Sequence, residues 1–296
     1  MFDEVNKNKM KSFFMVFIFI IIIGVLGAAL GIYLGNTYFG VGIAVMFSLI
    51  YSLISYYSGD SMILAMSGAR PVTKKEFPYL YHTIEGLSLS AGIPVPKAYV
   101  IDDSAMNAFA TGRDPKNASI TVTTGLLAVM NREELEGVIA HEMSHIKNYD
   151  IRFMMLTAVL VGIVTLLSDF LLRSFLWGGK SRESKSGNQL TLILIIVGLV
   201  LAVLSPIIGQ LIQLAISRKR EFMADASAAI LTRYPPGLAS ALKKISKDPD
   251  PLVDHANKAT AHLFISTPFR KKGSALAHLF STHPPIEERV KRLEAM

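Results

Sequence analysis

The chain of 296 residues contains no cysteine. That excludes disulfides, thiolate metal sites and cysteine nucleophiles, and it fits a reducing compartment. Charge is scarce as well. Asp, Glu, Lys and Arg make up 18% of the sequence, against roughly 25% in soluble domains. Hydrophobic residues reach 51%, so the surplus is expected in membrane segments. Acidic residues are outnumbered, and the net charge is +7. A basic excess can serve nucleic acid, but in a membrane protein basic flanks facing anionic lipid account for it. No nucleic-acid partner is expected. No internal repeat is visible.

What is present in abundance is long apolar runs. Phe13 to Gly35, Tyr38 to Ser58 and Leu190 to Ser217 carry no charge, and Phe153 to Trp177 carries only Asp169 and Arg173. A span needs about 20 residues, and all four runs suffice. The first is too long for the apolar core of a signal peptide, follows Asp3 and Glu4, and is succeeded at once by a second span, so it is expected to be retained. The short link "NTYFG" predicts a tight hairpin between spans one and two, and a polar Gly/Ser-rich link (Gly178 to Gln189) joins spans three and four. Lys7, Lys9 and Lys11 precede span one, Arg70, Lys74 and Lys75 follow span two, and Arg218, Lys219 and Arg220 follow span four. The positive-inside rule puts these flanks in the cytoplasm, although Lys180, Arg182 and Lys185 in the outer link run against it. Asp169 and Arg173, four apart near the outer end of span three, read as an interfacial ion pair.

The polar stretches carry the chemistry. "HEMSH" places His141 and His145 at i and i+4, on one helix face, so that two imidazoles can reach one zinc. Asn131 and Glu134 read as a capping box that starts this helix. Glu142, beside the first ligand, is placed to take a proton from a water that zinc acidifies. The pattern alone is only moderately specific, and a catalytic zinc needs a third protein ligand. No third histidine follows at close spacing. The candidate is Glu221 in "SRKREFMADASAA", with Asp225 one turn on to accept the free N–H of a ligand histidine. The plainer reading of Glu221 is a surface carboxylate paired with Arg218 or Lys219.

Placement favours the metal. Glu221 lies four residues beyond span four, roughly 6 Å along a helix, and His145 eight residues before span three, roughly 12 Å. Spans three and four are antiparallel neighbours, so both motifs should emerge side by side at the membrane surface. Lys97 to Asp102, Asn107 to Thr111 and Ser119 to Thr123 read as short strands, and an edge of this sheet can hold an extended peptide across the metal.

"HEMSH", "SRKREFMADASAA", "NAFATG" and "STHPPIEERVKRL" together resemble the M48 family of membrane zinc metallopeptidases, in particular its bacterial HtpX type. The resemblance implies an α-helical integral membrane protein with four transmembrane helices and an α+β gluzincin-like cytoplasmic metalloprotease domain. It implies one zinc on His141, His145 and Glu221, with Glu142 as general base. Asn107 would orient the substrate backbone and His283 would stabilise the oxyanion, though His283 also reads as a turn histidine before two prolines. Asp150 matches a further family position, read as structural. Implied substrates are misfolded or surplus membrane proteins, or unfolded polypeptides, in the lipid bilayer of the cell membrane, with the active site facing the cytoplasm. An ATP-dependent membrane protease is a candidate partner.

The expected organisation is a transmembrane hairpin (1–58), the first part of the catalytic domain with the sheet and metal helix (59–152), a second hairpin (153–217) and the rest of the catalytic domain with the third ligand (218–296). Rival readings are a processing protease of the CAAX prenyl type, for whose chamber four spans are too few, and a zinc-holding scaffold, in which Glu142 would have no task. A sensor or transporter would want more mid-membrane polar residues than Gln210 and Gln213.

Overall fold

The computed structural model describes residues 2–33, 35–160, 162–163, 218–248, 260, 263–265 and 284–296. The greater part of the expected second hairpin, with Asp169 and Arg173, and His283 lie outside the described residues.

Two long helices come first, α1 (Phe2–Tyr33) and α2 (Thr37–Met66). Asn36 caps α2, its side chain accepting the Phe39 N–H at 3.0 Å. That cap explains why most of the stretch expected as a link is already helical, since it satisfies a donor that the first turn leaves open. α2 then continues past Ser58 to Met66. Glycines let the two helices touch: a Cβ on Gly31 would stand 2.7 Å from the Thr37 Cα, and one on Gly40 2.6 Å from the Gly31 Cα. Both helices contain stretches long and apolar enough to cross a membrane, Val5–Ala28 and Thr37–Met66. The polarity of α2 is turned inside out. Its buried residues include Ser48, Ser52, Ser55 and Gly59, while Phe39, Met46, Ile50, Leu53 and Ile54 face outward. Small residues inside and large apolar ones outside suit a lipid surround, where tight packing drives association.

The polar part is built on a four-stranded sheet of order β1-β2-β4-β3. β2 (Lys97–Ile101) pairs parallel with β4 (Asn117–Thr123). The edge strand β3 (Ala108–Asp114) is antiparallel to β4, and a two-residue β1 (Arg70–Pro71), which the apolar pattern is too short to reveal, closes the other edge. β3 and β4 outrun the predicted strands. Asp114 Oδ1 accepts the N–H groups of Lys116 and Asn117, both at 2.9 Å, so the turn tightens onto Pro115-Lys116. A register shift at Gly112, with φ +139°, absorbs the extra residue.

α3 (Pro78–Ala91) and the short α4 (Thr124–Val129) flank this sheet. α5 (Arg132–Lys147) runs through the middle, packed on α3, β3, α7 (Arg218–Thr232) and α8 (Pro235–Ser246). The chain resumes as α6 over residues 150–160 and ends in α9 (Ile286–Glu294), which packs on α7 and α8. A second apolar cluster roots the helical hairpin in this domain. Met15, Phe19, Ile23 and Leu26 of α1 and Ile63 and Leu64 of α2 meet Ile101, Phe109, Met155, Leu156 and Phe264. The first residues of α1 and the last of α2 therefore both lie on the side of the polar domain.

Candidate metal centre

α5 begins on the expected capping box. Asn131 Oδ1 accepts the Glu134 N–H at 2.9 Å, and Glu134 Oε2 accepts the Asn131 N–H at 2.8 Å. Ser240 and Lys244 of α8 also reach Glu134, each at 2.6 Å. Gly137 lets α8 come close, since a Cβ there would lie 2.7 Å from the Leu238 nitrogen. So held, α5 is buried from Glu134 to Ile146 with few breaks, although its sequence is polar.

His141, His145 and Glu221 are all buried, and their candidate ligand atoms lie within 4.8 Å of one another. The two Nε2 atoms are 3.2 Å apart, and Glu221 stands 3.7 Å from His141 Nε2 and 3.6 Å from His145 Nε2. Two nitrogens bound to one tetrahedral zinc sit about 3.3 Å apart, so these residues fit such an ion. Their other nitrogens strengthen the fit. His141 Nδ1 is 3.0 Å from Asp225 Oδ1, and His145 Nδ1 is 3.0 Å from Asp150 Oδ2. A carboxylate on the far nitrogen fixes the tautomer that turns Nε2 toward a metal. Glu221, which its sequence also allowed as a surface carboxylate, is buried and faces the histidines.

Asp150 reaches its place through a break in the helix. Tyr149 adopts φ +60°, a left-handed step that ends α5 and turns the next residue back onto it. The chain therefore does not run straight from the metal helix into span three.

Burial pushes the Glu142 carboxyl up to about 7; His145 draws it down and the charge of Glu221 adds to the rise. Burial lowers the pKa of His145, but Asp150, Glu221 and Glu142 outweigh it and bring it to about 9. Desolvation holds His141 below its ordinary value, against the pull of Asp225. The Asp225 carboxyl is lowered: burial opposes this, and Arg289 and His141 prevail. The pocket is thus acid-rich. A proton on His145 supplies positive charge that a bound divalent cation would supply instead.

Asn107 is buried at the start of β3, where its Oδ1 accepts the Ala108 N–H at 3.1 Å. Glu142 lies close enough to β3 for the Ala110 backbone N–H to donate to it. The Ile265 N–H occupies the Ala108 carbonyl at 2.9 Å, and Phe264 packs edge-to-face on Phe109, with ring centroids 5.0 Å apart.

Two participants escaped the sequence reading. Arg289 of α9 is fully buried and grips Asp225 with two bonds, Nε to Oδ2 at 2.9 Å and Nη2 to Oδ1 at 2.7 Å. The signal was available: Ile286, Arg289, Val290 and Leu293 fall on one face of α9, an arginine set in an apolar stripe. Asn8 of α1 is the other. It donates to Asp150 Oδ1 at 2.6 Å and to the Asn148 carbonyl at 2.9 Å. His82 pairs with Glu85 at 3.5 Å on the exposed surface.

Residues 74–296 match peptidase family M48. A "Protease HtpX homolog" of Dictyoglomus turgidum is 48% identical to the chain, over 100% of it and 94% of the relative. A second, from Streptococcus thermophilus, is 44% identical over the whole of both chains. The fold is similar to the crystal structure of S. mikatae Ste24p, with a TM-score of 0.52 at 20% identity, covering 99% of this chain and 67% of that one. With the family matched across its polar domain, full-length relatives above 40% identity and a buried His-His-Glu donor set, the chain belongs to peptidase family M48 and is a metalloendopeptidase.

Proposed function

We propose that the protein is a zinc-dependent endopeptidase of the cell membrane that cleaves misfolded or surplus membrane proteins at the cytoplasmic surface, using one zinc per chain. The observation that carries this reading is the buried donor set His141, His145 and Glu221, lying beside Glu142 and at the foot of an apolar helical hairpin. Bound zinc would supply a Lewis acid and an acidified water. His141, His145 and Glu221 hold it, and Asp225 and Asp150 keep the two imidazoles in the ligating tautomer. Glu142 takes the proton and returns it to the leaving nitrogen, a task suited to a carboxyl poised near neutrality. Asn107 and the edge of β3 align the substrate backbone as an added strand. That strand competes with Ile265 for Ala108 or pairs farther along, toward Gly112. His283 steadies the oxyanion.

Charge supports the cytoplasmic side. Lys7, Lys9 and Lys11 at the start of α1 and Arg70 after α2 lie at the end of the hairpin that meets the polar domain, and basic flanks stay inside. The test is proteolysis of an unfolded reporter by the full chain in detergent, comparing it with Glu142→Ala, each with and without chelator and added zinc. Metal-dependent cleavage that the variant loses by about 10²–10⁴-fold, with zinc still bound, is expected. Equal activity in both proteins would remove Glu142 from the mechanism.

A further inference from the structure

We infer that the amino-terminal end of α1 is part of the wall of the metal centre, and that Asn8 is a positioning residue for the ligand His145, acting through Asp150. The inference rests on the metal reading above and extends it to a residue of the first apolar helix.

Three contacts carry it. The Asn8 amide donates to Asp150 Oδ1 at 2.6 Å, while Asp150 Oδ2 faces His145 Nδ1 at 3.0 Å. The same amide donates to the Asn148 carbonyl at 2.9 Å, at the point where α5 ends. Asn8 Oδ1 accepts from Arg220 at 3.4 Å, and Arg220 stands equally far from Asp150 Oδ1. Asn8 is only 1% exposed, and its donor and acceptor atoms are all engaged. An asparagine buried this deeply costs stability unless its bonds are made, and here one reaches the Asp150 carboxylate directly while another engages Arg220, which stands beside the same carboxylate. A carboxylate that bonds a ligand histidine sets the ring's orientation and basicity, and its loss weakens metal binding 10–100-fold. Asn8 fixes that carboxylate from the far side. Seating of α1 and affinity for the metal are therefore one equilibrium seen from two ends. Whatever withdraws the first turns of α1 loosens His145, and metal binding draws α1 in.

The test measures zinc affinity of the full chain in detergent by competition with a chromophoric chelator, alongside melting with and without zinc. Asn8→Ala is expected to weaken zinc binding about tenfold, and Asn8→Asp, of the same size but with an acceptor facing Asp150, by at least as much. In an Asp150→Ala background, Asn8→Ala should change affinity less than twofold, because its route to His145 is gone. Ser12→Ala, one turn along the same buried face of α1, should leave affinity unchanged. Should Asn8→Ala fail to fold, Asn8→Asp carries the same comparison. A lowered melting temperature with undiminished zinc affinity would overturn the inference and leave α1 as packing only. An equal loss in the Asp150→Ala background would also overturn it. Failure of the unaltered chain to bind zinc would instead overturn the metal reading.

Discussion

The two histidines of the candidate metal centre sit one helical turn apart on α5 and are supported by opposite ends of the chain. His141 rests on Asp225 of α7, which Arg289 of α9 grips bidentately from a fully buried position. His145 rests on Asp150, whose further partners are the neutral amide of Asn8 in α1 and the more distant Arg220. The first side is locked by charge within the polar domain. The second is held by an amide from the apolar hairpin together with the more distant charge of Arg220. Two sites that look equivalent in an H-E-x-x-H pattern therefore differ in what can disturb them.

Cutting the two anchors separates these sides. Arg289→Met leaves Asp225 buried without its counter-charge and should cost about 3–5 kcal/mol of stability, seen in denaturant unfolding of the solubilised chain. Arg220→Met should cost clearly less, since Asn8 still binds Asp150. Equal losses would mean that the charge lock is not special to the His141 side.

The carboxylates come next. Asp225→Ala and Asp150→Ala should each weaken zinc binding about 10–100-fold, but only Asp225→Ala takes from the fully buried Arg289 its two-bond partner, leaving it Glu221 at 3.7 Å, and it should also lower the melting point of the metal-free protein more.

Acidity sharpens the contrast further. In the metal-free protein His145 is raised to about 9, above the ordinary imidazole value near 6.5. Its contribution to stability is then complete below pH ~6.5 and fades as pH rises through about 9. Metal-free protein should lose stability from pH 7 to 9, and zinc-loaded protein, whose His145 is already neutral, should not show this loss. Zinc affinity should rise over the same range, with proton release visible in calorimetry run in buffers of different ionisation heat. His141, lowered by burial, contributes no such release.

The smallest effect lies at the start of α5. The Glu134 carboxyl is depressed: burial opposes this, while Lys244, Ser240 and the Asn131 N–H outweigh it. Its stabilisation is present above pH ~4.5 and is lost as pH falls through its lowered folded value. Glu134→Gln should cost about 1 kcal/mol at neutral pH and flatten the acid limb of the stability profile without altering zinc affinity.

Much of this architecture is written in local patterns. The capping box at Asn131 and Glu134, the i, i+4 histidines and the glutamate-aspartate pair on α7 are all short-range features, and each appears where its spacing places it. The long apolar runs of α1 and α2 are equally plain, because length and composition suffice to recognise them. What the sequence conceals is convergence between distant segments. Asn8, Asp150 and Arg220 meet only through the fold, and no spacing within any one segment announces them. Arg289 is an intermediate case: its position in the apolar stripe of α9 marks it as buried, but not what it would bind. The two-residue β1 and the full length of β3 depend on pairing partners and turn bonds rather than on alternation.

The seat of Asn8 also sets a distance. From Asn8 to Phe13, where the charge-free run of α1 begins, five residues rise about 7.5 Å along a helix. On the function proposed here, the cutting centre is held at a fixed altitude above the oily layer, like a blade on a ruler. A chain is cut where it leaves the bilayer, and a folded domain carried on a longer tether passes out of reach.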